Sequence, residues 1–300
     1  MNNDEIGVTV TGGQTNAGTG YTATASGLTG TKSGNYKLPT ANTTTFSIAS
    51  ATLNGVTVGG YNSAYDGIAH GITASVPTGA TIKYGTAEGS YDLDDTPIYT
   101  SVGNYTVYYQ VTYDNYNTIT GSETVNITQA ALTVTAKANT ITYGDVPANG
   151  GVDYDGFVNN ETADVLSGKL SYAYNYEQYG NVGNTYTITP SGLTSGNYNI
   201  TFVAGTLTVN PLTATLSWED TSFTYDGNPH KPTAYVSNLV NSDACEVTVS
   251  GEQTNASNSY EATATGLSNT NYQLPTVATQ SFVINKATPV VDRSLPYRHV

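Results

Sequence analysis

The sequence has little charge and a single cysteine. Charged residues make up 11% of its 300 residues, well below the roughly 25% of an ordinary soluble domain. Nine Lys and Arg stand against 23 Asp and Glu, which gives a formal net charge of −14. Nucleic-acid binding depends on clustered cations, so this balance argues against a nucleic-acid partner and against anionic membrane surfaces. Because Cys245 is the only cysteine, no intrachain disulfide forms, and stability has to come from packing.

Long apolar runs and helix signals are also missing. No run of about 18 apolar residues occurs, so we expect no membrane insertion in this segment. The first ten residues, MNNDEIGVTV, lack the basic start and apolar core of a signal peptide. No stretch sustains the apolar spacing of an amphipathic helix. The 25 tyrosines and abundant threonine favour strands, while glycine and asparagine supply turns, so the sequence predicts an all-β protein.

Two tyrosine markers recur with a period of about 80 residues. The first is a tyrosine followed by a tight turn, present as Tyr65-Asp66-Gly67, Tyr143-Gly144-Asp145 and Tyr225-Asp226-Gly227. The second is the tyrosine of the segments GNYK, DNYN, GNYN and TNYQ, which are Tyr36, Tyr116, Tyr198 and Tyr272. Each unit closes with an alternating stretch such as TTFSIA or QSFVINK. The chain is therefore predicted to be a tandem repeat.

The markers also predict the domain boundaries. Full repeats are expected at 51–130, 131–211 and 212–287. Residues 1–50 align with the second half of the last repeat, so the numbering begins inside a unit. Residues 288–300 show no strand alternation and are interpreted as a tail or a remnant of cloning.

Within each repeat the apolar residues alternate with a period of two, which indicates strands. In LTVTA, for example, Leu132, Val134 and Ala136 share one face. Short strands separated by Gly, Asn and Pro turns predict small antiparallel β-sandwich modules of the Ig-like kind, with a β-grasp-like module as the alternative. Junctions of one or two residues predict an elongated array without flexible linkers.

The last repeat, from FTYDGNPHKPTAYV to QSFVINKA, resembles the bacterial Ig-like and MBG (YDG-type) repeats of cell-surface adhesins. The third unit, with GFVNNETADVLSGKL and SGNYNITFVAGTLTVNP, is most similar to the MBG type. It departs from the pattern at Tyr143-Gly144-Asp145, where the other repeats have Tyr-Asp-Gly. The resemblance covers the chain to about residue 287 and implies stalk or adhesive modules on a bacterial surface. It brings no catalytic residues.

Two Asp–His pairs could carry chemistry. Asp66 and His70, like Asp226 and His230, are four residues apart. A catalytic dyad needs the carboxylate to orient the imidazole, together with a nucleophile or a metal ion. The corresponding turn at Gly144 is followed by no histidine, and Asp-Gly is a common turn dipeptide. We therefore interpret both pairs as parts of turns.

Two further groups are candidate binding residues. Asp92, Asp94 and Asp95 lie within four positions, a spacing that suits calcium, but the loop lacks the EF-hand pattern and does not recur in the other repeats, so we favour an exposed acidic loop. Tyr108 and Tyr176 belong to alternating tyrosine-rich stretches that could stack on sugar rings or contact a protein. We favour the alternative, in which tyrosine takes the place of phenylalanine in a thin core.

Together these observations predict a non-enzymatic stalk or spacer segment of a bacterial extracellular surface protein, monomeric and part of a larger chain. It needs no cofactor and could contribute to adhesion. A second expectation is an adhesin module that recognises glycans, mucin or a host surface protein. A third is a set of accessory modules of a secreted carbohydrate-active enzyme. The ligand and the mode of anchoring do not follow from the residues.

Overall fold

The structure, a computed structural model, describes residues 3–290. Between these residues the regular structure consists of strands and two short 3-10 turns, Ser33–Asn35 and Ala163–Val165. The prediction of an all-β protein is confirmed. No helix in this part of the chain is long and apolar enough to cross a membrane. The tail predicted at 288–300 lies almost wholly outside the described residues.

The first region is a three-stranded antiparallel sheet with the order β1-β2-β3. Its strands are β1 (Gly7–Thr11), β2 (Gly18–Thr29) and β3 (Thr43–Ile48). No side chain between residues 3 and 50 is buried. This region therefore has no core of its own among the described residues.

The next region contains β4 (Thr57–Gly59), β5 (Tyr61–Ala64), β6 (Thr73–Ser75), β7 (Thr81–Gly85), β8 (Gly103–Thr112) and β9 (Ile119–Thr128). A four-stranded sheet has the order β5-β9-β8-β7, and β4 pairs with β6. Val107, Val111 and Val125 are fully buried, so the alternating face of this sheet forms its core.

The third region contains β10 (Ala130–Ala136), β11 (Asn139–Thr142), β12 (Val152–Asp155), β13 (Ser167–Tyr174), β14 (Tyr186–Thr194), β15 (Tyr198–Val203) and β16 (Gly205–Asn210). Its sheets have the orders β11-β16-β14-β13 and β12-β10-β15. Leu132, Val134 and Ala136 of β10 are buried on one face, as the alternation predicts.

The last region contains β17 (Leu212–Thr213), β18 (Leu216–Glu219), β19 (Ser222–Thr224), β20 (Thr233–Val236), β21 (Val247–Ser250), β22 (Ser257–Leu267), β23 (Tyr272–Gln273) and β24 (Thr279–Asn285). A four-stranded sheet has the order β19-β24-β22-β21, and β18 pairs with β20 and β17 with β23. Phe282 and Ile284 of β24 are almost fully buried.

Each four-stranded sheet combines antiparallel hairpins with one parallel pair. The parallel pairs join the first strand of the sheet to the last, as β5 with β9, β11 with β16 and β19 with β24. The sequence predicted antiparallel sheets, which describes the other pairs of these three sheets, whereas the short pair of β17 with β23 is parallel as well. A period of two indicates a strand but not the direction of its neighbour, so the pattern alone did not reveal the parallel pairs.

The described residues form two compact units. The first holds the residues up to Ala131 together with Phe157–Thr162 and Ser195–Asn199. The second holds Leu132–Gly156, Ala163–Thr194 and the residues from Ile200 onward. Short segments of the third region thus pack with the region before them, because the ends of its loops reach back along the chain. The repeat boundaries expected from the sequence remain a prediction.

Candidate functional site

Both Asp–His pairs are formed. Nε2 of His70 lies 2.9 Å from Oδ1 of Asp66, and Nε2 of His230 lies 2.8 Å from Oδ1 of Asp226. Each imidazole also stacks on an aromatic ring from the first strand of its sheet, with ring centroids 3.9 and 4.7 Å apart. The two histidines therefore have similar surroundings in two different repeats, except that the hydroxyl of Tyr61 also lies 3.0 Å from Nε2 of His70, whereas Phe223 has no such group.

In the first pair, a backbone hydrogen bond explains why the turn needs Asp66. Oδ1 of Asp66 also accepts a hydrogen bond from the N–H of Ile68 at 2.9 Å, which closes the turn. The hydrogen bond with His70, followed by that from Ile68, lowers the pKa of the Asp66 carboxyl below its usual value. Across residues 3–290, no three His, Cys, Asp or Glu side chains come together as a metal-binding group. The geometry is that of a polar turn.

The turn after the first marker tyrosine requires a glycine in the left-handed region. Gly67 has φ 75° and Gly144 has φ 97°, a conformation that residues with a Cβ rarely adopt. Gly144 directly follows its marker tyrosine, whereas Gly67 comes two residues after its own. The aspartate of the third repeat therefore follows the glycine, and its side chain reaches back to the strand before the turn. Oδ2 of Asp145 accepts the N–H of Thr142 at 2.8 Å. The reversed order Gly-Asp therefore still gives a closed turn.

The two candidate tyrosines have different surroundings. Tyr176 is 3% exposed and donates its hydroxyl to the carbonyl of Asp145 at 3.1 Å, so its ring offers no surface to a ligand. The expectation of a stacking platform at Tyr176 is corrected. Strand β13 ends at Tyr174, so the alternation of the tyrosine-rich stretch stops before Tyr176. Tyr108 is half-buried on β8, and its role remains a prediction.

The three candidate calcium ligands do not converge. Asp92, Asp94 and Asp95 are all exposed, and Asp94 forms an ion pair with Lys83. These carboxylates belong to no group of three potential metal ligands in the described part of the chain. The arrangement is that of an exposed acidic loop.

A carboxylate joins two repeated tyrosines inside the first compact unit. Tyr65 donates its hydroxyl to Oε1 of Glu161 and Tyr198 donates to Oε2, both at 2.5 Å. The rings of Tyr65 and Tyr198 meet edge to face, with centroids 5.5 Å apart, and they are 5% and 2% exposed. The N–H of Val158 donates to the hydroxyl oxygen of Tyr198 at 3.1 Å. We call the cluster of Tyr65, Glu161 and Tyr198 the first latch.

The second compact unit contains the same cluster. Tyr143 and Tyr272 both donate to Oδ2 of Asp243, at 2.7 and 3.1 Å. Their ring centroids are 5.7 Å apart at an angle of 67°, and the rings are 3% and 4% exposed. The N–H of Val240 donates to the hydroxyl oxygen of Tyr272 at 2.9 Å. We call the cluster of Tyr143, Asp243 and Tyr272 the second latch.

The two carboxylates occupy the same position in a four-residue turn. This turn is Val-Asn-Asn-Glu at 158–161 and Val-Asn-Ser-Asp at 240–243. In both, the two central residues have φ between 49° and 59°. The N–H of the fourth residue donates to the carbonyl of the first, at 2.9 and 3.0 Å. Two consecutive left-handed residues are typical of a type I′ turn, in which asparagine is favoured. The backbone therefore presents the carboxylate in the same way in both latches.

The asparagine that precedes the second marker tyrosine makes the same bond three times. Its Oδ1 accepts a backbone N–H from the preceding repeat, as Asn115 from Ala17 at 2.7 Å, Asn197 from Val102 at 3.0 Å and Asn271 from Val182 at 2.9 Å. Its carbonyl accepts the N–H of a residue at the junction where its own repeat starts, namely Ala51, Ala130 and Leu212. One residue type thus bonds the end of one repeat to the start of the next.

Hydrogen bonding and burial both stabilise the neutral phenols of the latches. The hydrogen bond to Glu161, followed by burial, raises the pKa of Tyr65 to about 12. Burial, followed by the hydrogen bond to Asp243, raises the pKa of Tyr143 to about 12. In each case a phenolate would lie beside a carboxylate in a poorly solvated place.

These shifts predict a loss of stability at alkaline pH. An unfolded tyrosine has a pKa of about 10, so between about pH 10 and 12 the folded chain holds protons that the unfolded chain has released. The contribution is complete below pH 10 and falls as the pH rises toward 12. Urea unfolding from pH 9 to 12 should show this decline, and Tyr143→Phe should make it shallower. If the free energy of unfolding declined as steeply with pH in Tyr143→Phe as in the wild type, the latch would be contradicted. The matched control is Tyr225→Phe at an exposed tyrosine, which should leave the decline unchanged.

The sequence revealed the latch tyrosines but not their partners. Tyr65 and Tyr198 were markers of the repeat, interpreted as anchors of turns. Glu161 and Asp243 were not singled out, because a glutamate and an aspartate do not align by identity. The signal that could have found them is the shared pattern Val-Asn-(Asn or Ser)-acid, 29 to 37 residues before the second marker tyrosine.

Comparisons with known proteins give one family and several distant structures. Residues 132–208 match the family model of the MBG domain (YGX type). No curated protein matches the chain. Among solved structures, the Bacteroides ovatus mixed-linkage glucan utilization locus SGBP-B, in complex with a mixed-linkage heptasaccharide, is 13% identical over 80% of this chain and 69% of its own, with a TM-score of 0.20.

Two cadherin structures are similarly distant. The Drosophila N-cadherin EC1-4 structure is 12% identical over 76% of this chain and 72% of its own, with a TM-score of 0.24. Extracellular cadherin domains 3-6 of protocadherin gamma B2 are 11% identical over 89% of this chain and 84% of their own, with a TM-score of 0.27. Likenesses at these scores support no conclusion about what this chain binds.

The strands, the repeats and the family match define the class of the protein. It is a chain of tandem small β domains. One of them, at residues 132–208, matches the MBG domain of the YGX type, and its entry turn Tyr143-Gly144-Asp145 carries the Tyr-Gly pair of that description.

Proposed function

We propose that this chain is a non-enzymatic spacer segment of a bacterial extracellular surface protein. In this role it holds an active or adhesive part of the protein away from the cell surface. The observation that carries the proposal is the recurrence of one latch in two compact units, each joining the first marker tyrosine of one repeat to the carboxylate and second marker tyrosine of the next.

The chemistry of the latch suits a stiff joint. Hydrogen bonds to a carboxylate are stronger than those between neutral groups. In the first latch, Glu161 accepts two of them from rings that are almost fully buried. Opening the joint would leave buried hydroxyls without partners, which costs more than the bonds contribute. A spacer needs this property at every junction, whereas a flexible linker would use glycine and serine.

The spacer role can be tested by measuring distances across the first latch. Spin labels at the exposed positions Thr106 and Asn199, introduced as cysteines with Cys245→Ser, lie in two successive repeats and within the first compact unit. Double electron–electron resonance should give a narrow distance distribution for the otherwise unchanged chain. Glu161→Ala removes the shared acceptor and should broaden that distribution.

The control is an exposed glutamate of the same repeat. Glu177→Ala should leave the width of the distribution unchanged, because the side chain of Glu177 is exposed. A broad distribution in the otherwise unchanged chain would contradict the spacer role. The role would also be contradicted if Glu161→Ala lowered the free energy of unfolding but left the distance distribution narrow, because the latch would then stabilise the fold without stiffening the joint.

A second candidate function is glycan binding. A polar cleft of about 640 Å³ lies beside the second latch, and its lining includes Tyr179, Asn181, Asn184, Asn241 and Asn269. Tyr179 has φ 70°, a strained conformation for an aromatic residue of the kind found at binding sites. Amide groups and an aromatic ring suit sugar hydroxyls and sugar faces. Binding on a glycan array that is lost in Asn184→Ala would favour this function.

A further inference from the structure

The two latches differ in how their carboxylates are used. In the first latch, each oxygen of Glu161 accepts one tyrosine hydroxyl, so both oxygens are occupied. In the second latch, both tyrosines donate to Oδ2 of Asp243. Oδ1 of Asp243 has no hydrogen-bond partner within residues 3–290, and every fully buried polar side-chain atom in this range has one, so Oδ1 is open to solvent. The second latch therefore offers a charged acceptor that the first does not.

The joint around the second latch is also less closed. In the first latch, Nδ2 of Asn159 donates to the carbonyl of Gly67 at 3.1 Å, which ties the latch turn to the entry turn. Asn241 occupies the place of Asn159, but its side chain is exposed and makes no hydrogen bond in the described part of the chain. It lines the polar cleft beside the second latch instead, and all the residues that line this cleft belong to the second compact unit.

Tyr179 supplies the aromatic wall of the cleft and is held in place. Its half-buried ring meets the ring of Tyr143 at a centroid distance of 6.3 Å and an angle of 66°. The residue before it is tied to the entry turn, since Nε2 of Gln178 donates to the carbonyl of Gly144 at 2.7 Å. A ring that is fixed before a ligand arrives loses little conformational entropy on binding.

Free amide and hydroxyl groups surround the same opening. Nδ2 of Asn184 donates to the hydroxyl of Tyr186 at 3.3 Å, and Oδ1 of Asn181 accepts from Asn271 at 2.9 Å. Among the described residues, these two bonds leave Oδ1 of Asn184 and Nδ2 of Asn181 unused, and the side chain of Thr270 is exposed beside them. Donors and acceptors next to an aromatic ring suit the hydroxyls and the apolar face of a sugar ring.

We propose that this cleft binds a neutral pyranose unit and rejects anionic sugars. The inference rests on the glycan-binding function proposed above and names the class of sugar. Oδ1 of Asp243 accepts one sugar hydroxyl, the amides of Asn184 and Asn241 bond neighbouring hydroxyls, and the ring of Tyr179 covers one face of the pyranose. A carboxylate on the sugar would lie beside the carboxylate of Asp243, and the net charge of −14 adds to the repulsion.

Nuclear magnetic resonance titration with matched sugars tests both parts of the proposal. The probes are the methyl glycosides of glucose, galactose and mannose, each with its uronic acid counterpart, added to the isotope-labelled full chain. At least one neutral glycoside should bind with a dissociation constant of about 1–10 mM, and its uronic acid counterpart about tenfold more weakly or worse. The backbone amide signals of residues 179–184 and 241–243 should move in the titration.

Tyr179→Gly is the most informative variant, because glycine accepts the φ of 70° without strain and only the ring is lost. It should weaken binding of the neutral glycoside by about fivefold or more, whereas Tyr179→Phe keeps the ring and should bind within about twofold of the wild type. Tyr225→Ala is the control. It removes a 43% exposed tyrosine that lines a different cleft, and it should bind like the wild type.

Asp243→Asn tests the charge. It removes the negative charge and keeps one acceptor oxygen for the two tyrosines of the latch. The preference for the neutral glycoside over its uronic acid counterpart should fall from about tenfold to about twofold. A residue that only supported the fold would change the two affinities by the same factor and leave the preference unchanged.

Three results would overturn the proposal. They are no binding of any neutral glycoside at about 100 mM, a uronic acid that binds as tightly as its neutral counterpart, and a Tyr179→Gly chain that binds like the wild type. Glycan-array binding that survived Tyr179→Gly would support glycan binding but exclude this cleft as its site. The spacer role is measured by distances within the first compact unit, so none of these results bears on it.

Discussion

Tyr198→Ala is expected to lower the free energy of unfolding of the surrounding structure by about 3–5 kcal/mol, the usual cost of removing a buried aromatic side chain. The ring is 2% exposed and meets Tyr65 and Phe157 edge to face, at centroid distances of 5.5 and 5.4 Å. Its loss leaves a cavity and removes one of the two donors to Glu161. The N–H of Val158 also loses its acceptor.

Two matched variants separate the ring from its hydroxyl. Tyr198→Phe keeps the ring but removes the hydroxyl, and should cost about 1–3 kcal/mol because Val158 and Glu161 lose a partner. Tyr116→Phe changes the same marker position in the preceding repeat, where the ring is 37% exposed, and should cost less than about 0.5 kcal/mol. Hydrogen exchange of peptides covering 61–65 and 157–162 measures the local effect. Equal protection in Tyr198→Ala and the wild type would mean that the first latch contributes nothing to stability.

The second large effect is expected for Asp243→Ala, which should lower the free energy of unfolding by about 2–5 kcal/mol because two buried hydroxyls lose their acceptor. Tyr143 and Tyr272 are 3% and 4% exposed, and both lose the oxygen to which they donate. A buried hydroxyl left without a partner costs about 1–3 kcal/mol. The two rings also belong to the apolar cluster that contains Ile188 and Leu207, so disturbance at the latch extends into the core.

Trp218, the only tryptophan, lies in the same compact unit and reports on this change. Urea unfolding followed by its fluorescence should shift to lower urea in Asp243→Ala. Asp243→Asn retains one acceptor oxygen and should cost less than the alanine variant. The exposed Glu219 gives the control, as Glu219→Ala should change the free energy of unfolding by less than about 0.5 kcal/mol. If Asp243→Ala behaved like Glu219→Ala, the carboxylate would have no role in holding the two tyrosines.

The sequence was sufficient for the fold class because the alternation is local. The buried positions of β10 are those that a period of two selects, and the same holds for Val107 and Val111 in β8. The alternation could not decide the place of Tyr176, because β13 ends at Tyr174 and the ring that follows enters the core.

The latches could not be found in this way, because their members are far apart in the sequence. Tyr65 and Glu161 are separated by 96 residues, and Tyr143 and Asp243 by 100. A tyrosine that packs in a turn and a tyrosine that donates to a distant carboxylate look the same in a sequence. The polar partner could be recognised only when the turn at Asn159 and its counterpart at Asn241 showed the same backbone conformation.

The parallel pairing of first and last strands determines how each repeat would respond to a pulling force. In the last repeat, Ser222, Phe223 and Thr224 pair with Val283, Ile284 and Asn285 in the same direction. Tension that enters at the start of β19 and leaves at the end of β24 acts along this ladder, so all of its hydrogen bonds are sheared together. In a hairpin pulled from its open end, the bonds would instead break one after another. In each four-stranded sheet of the described residues, a parallel ladder thus joins the strand where the polypeptide enters to the strand where it leaves, and the hydrogen bonds of this ladder share the load.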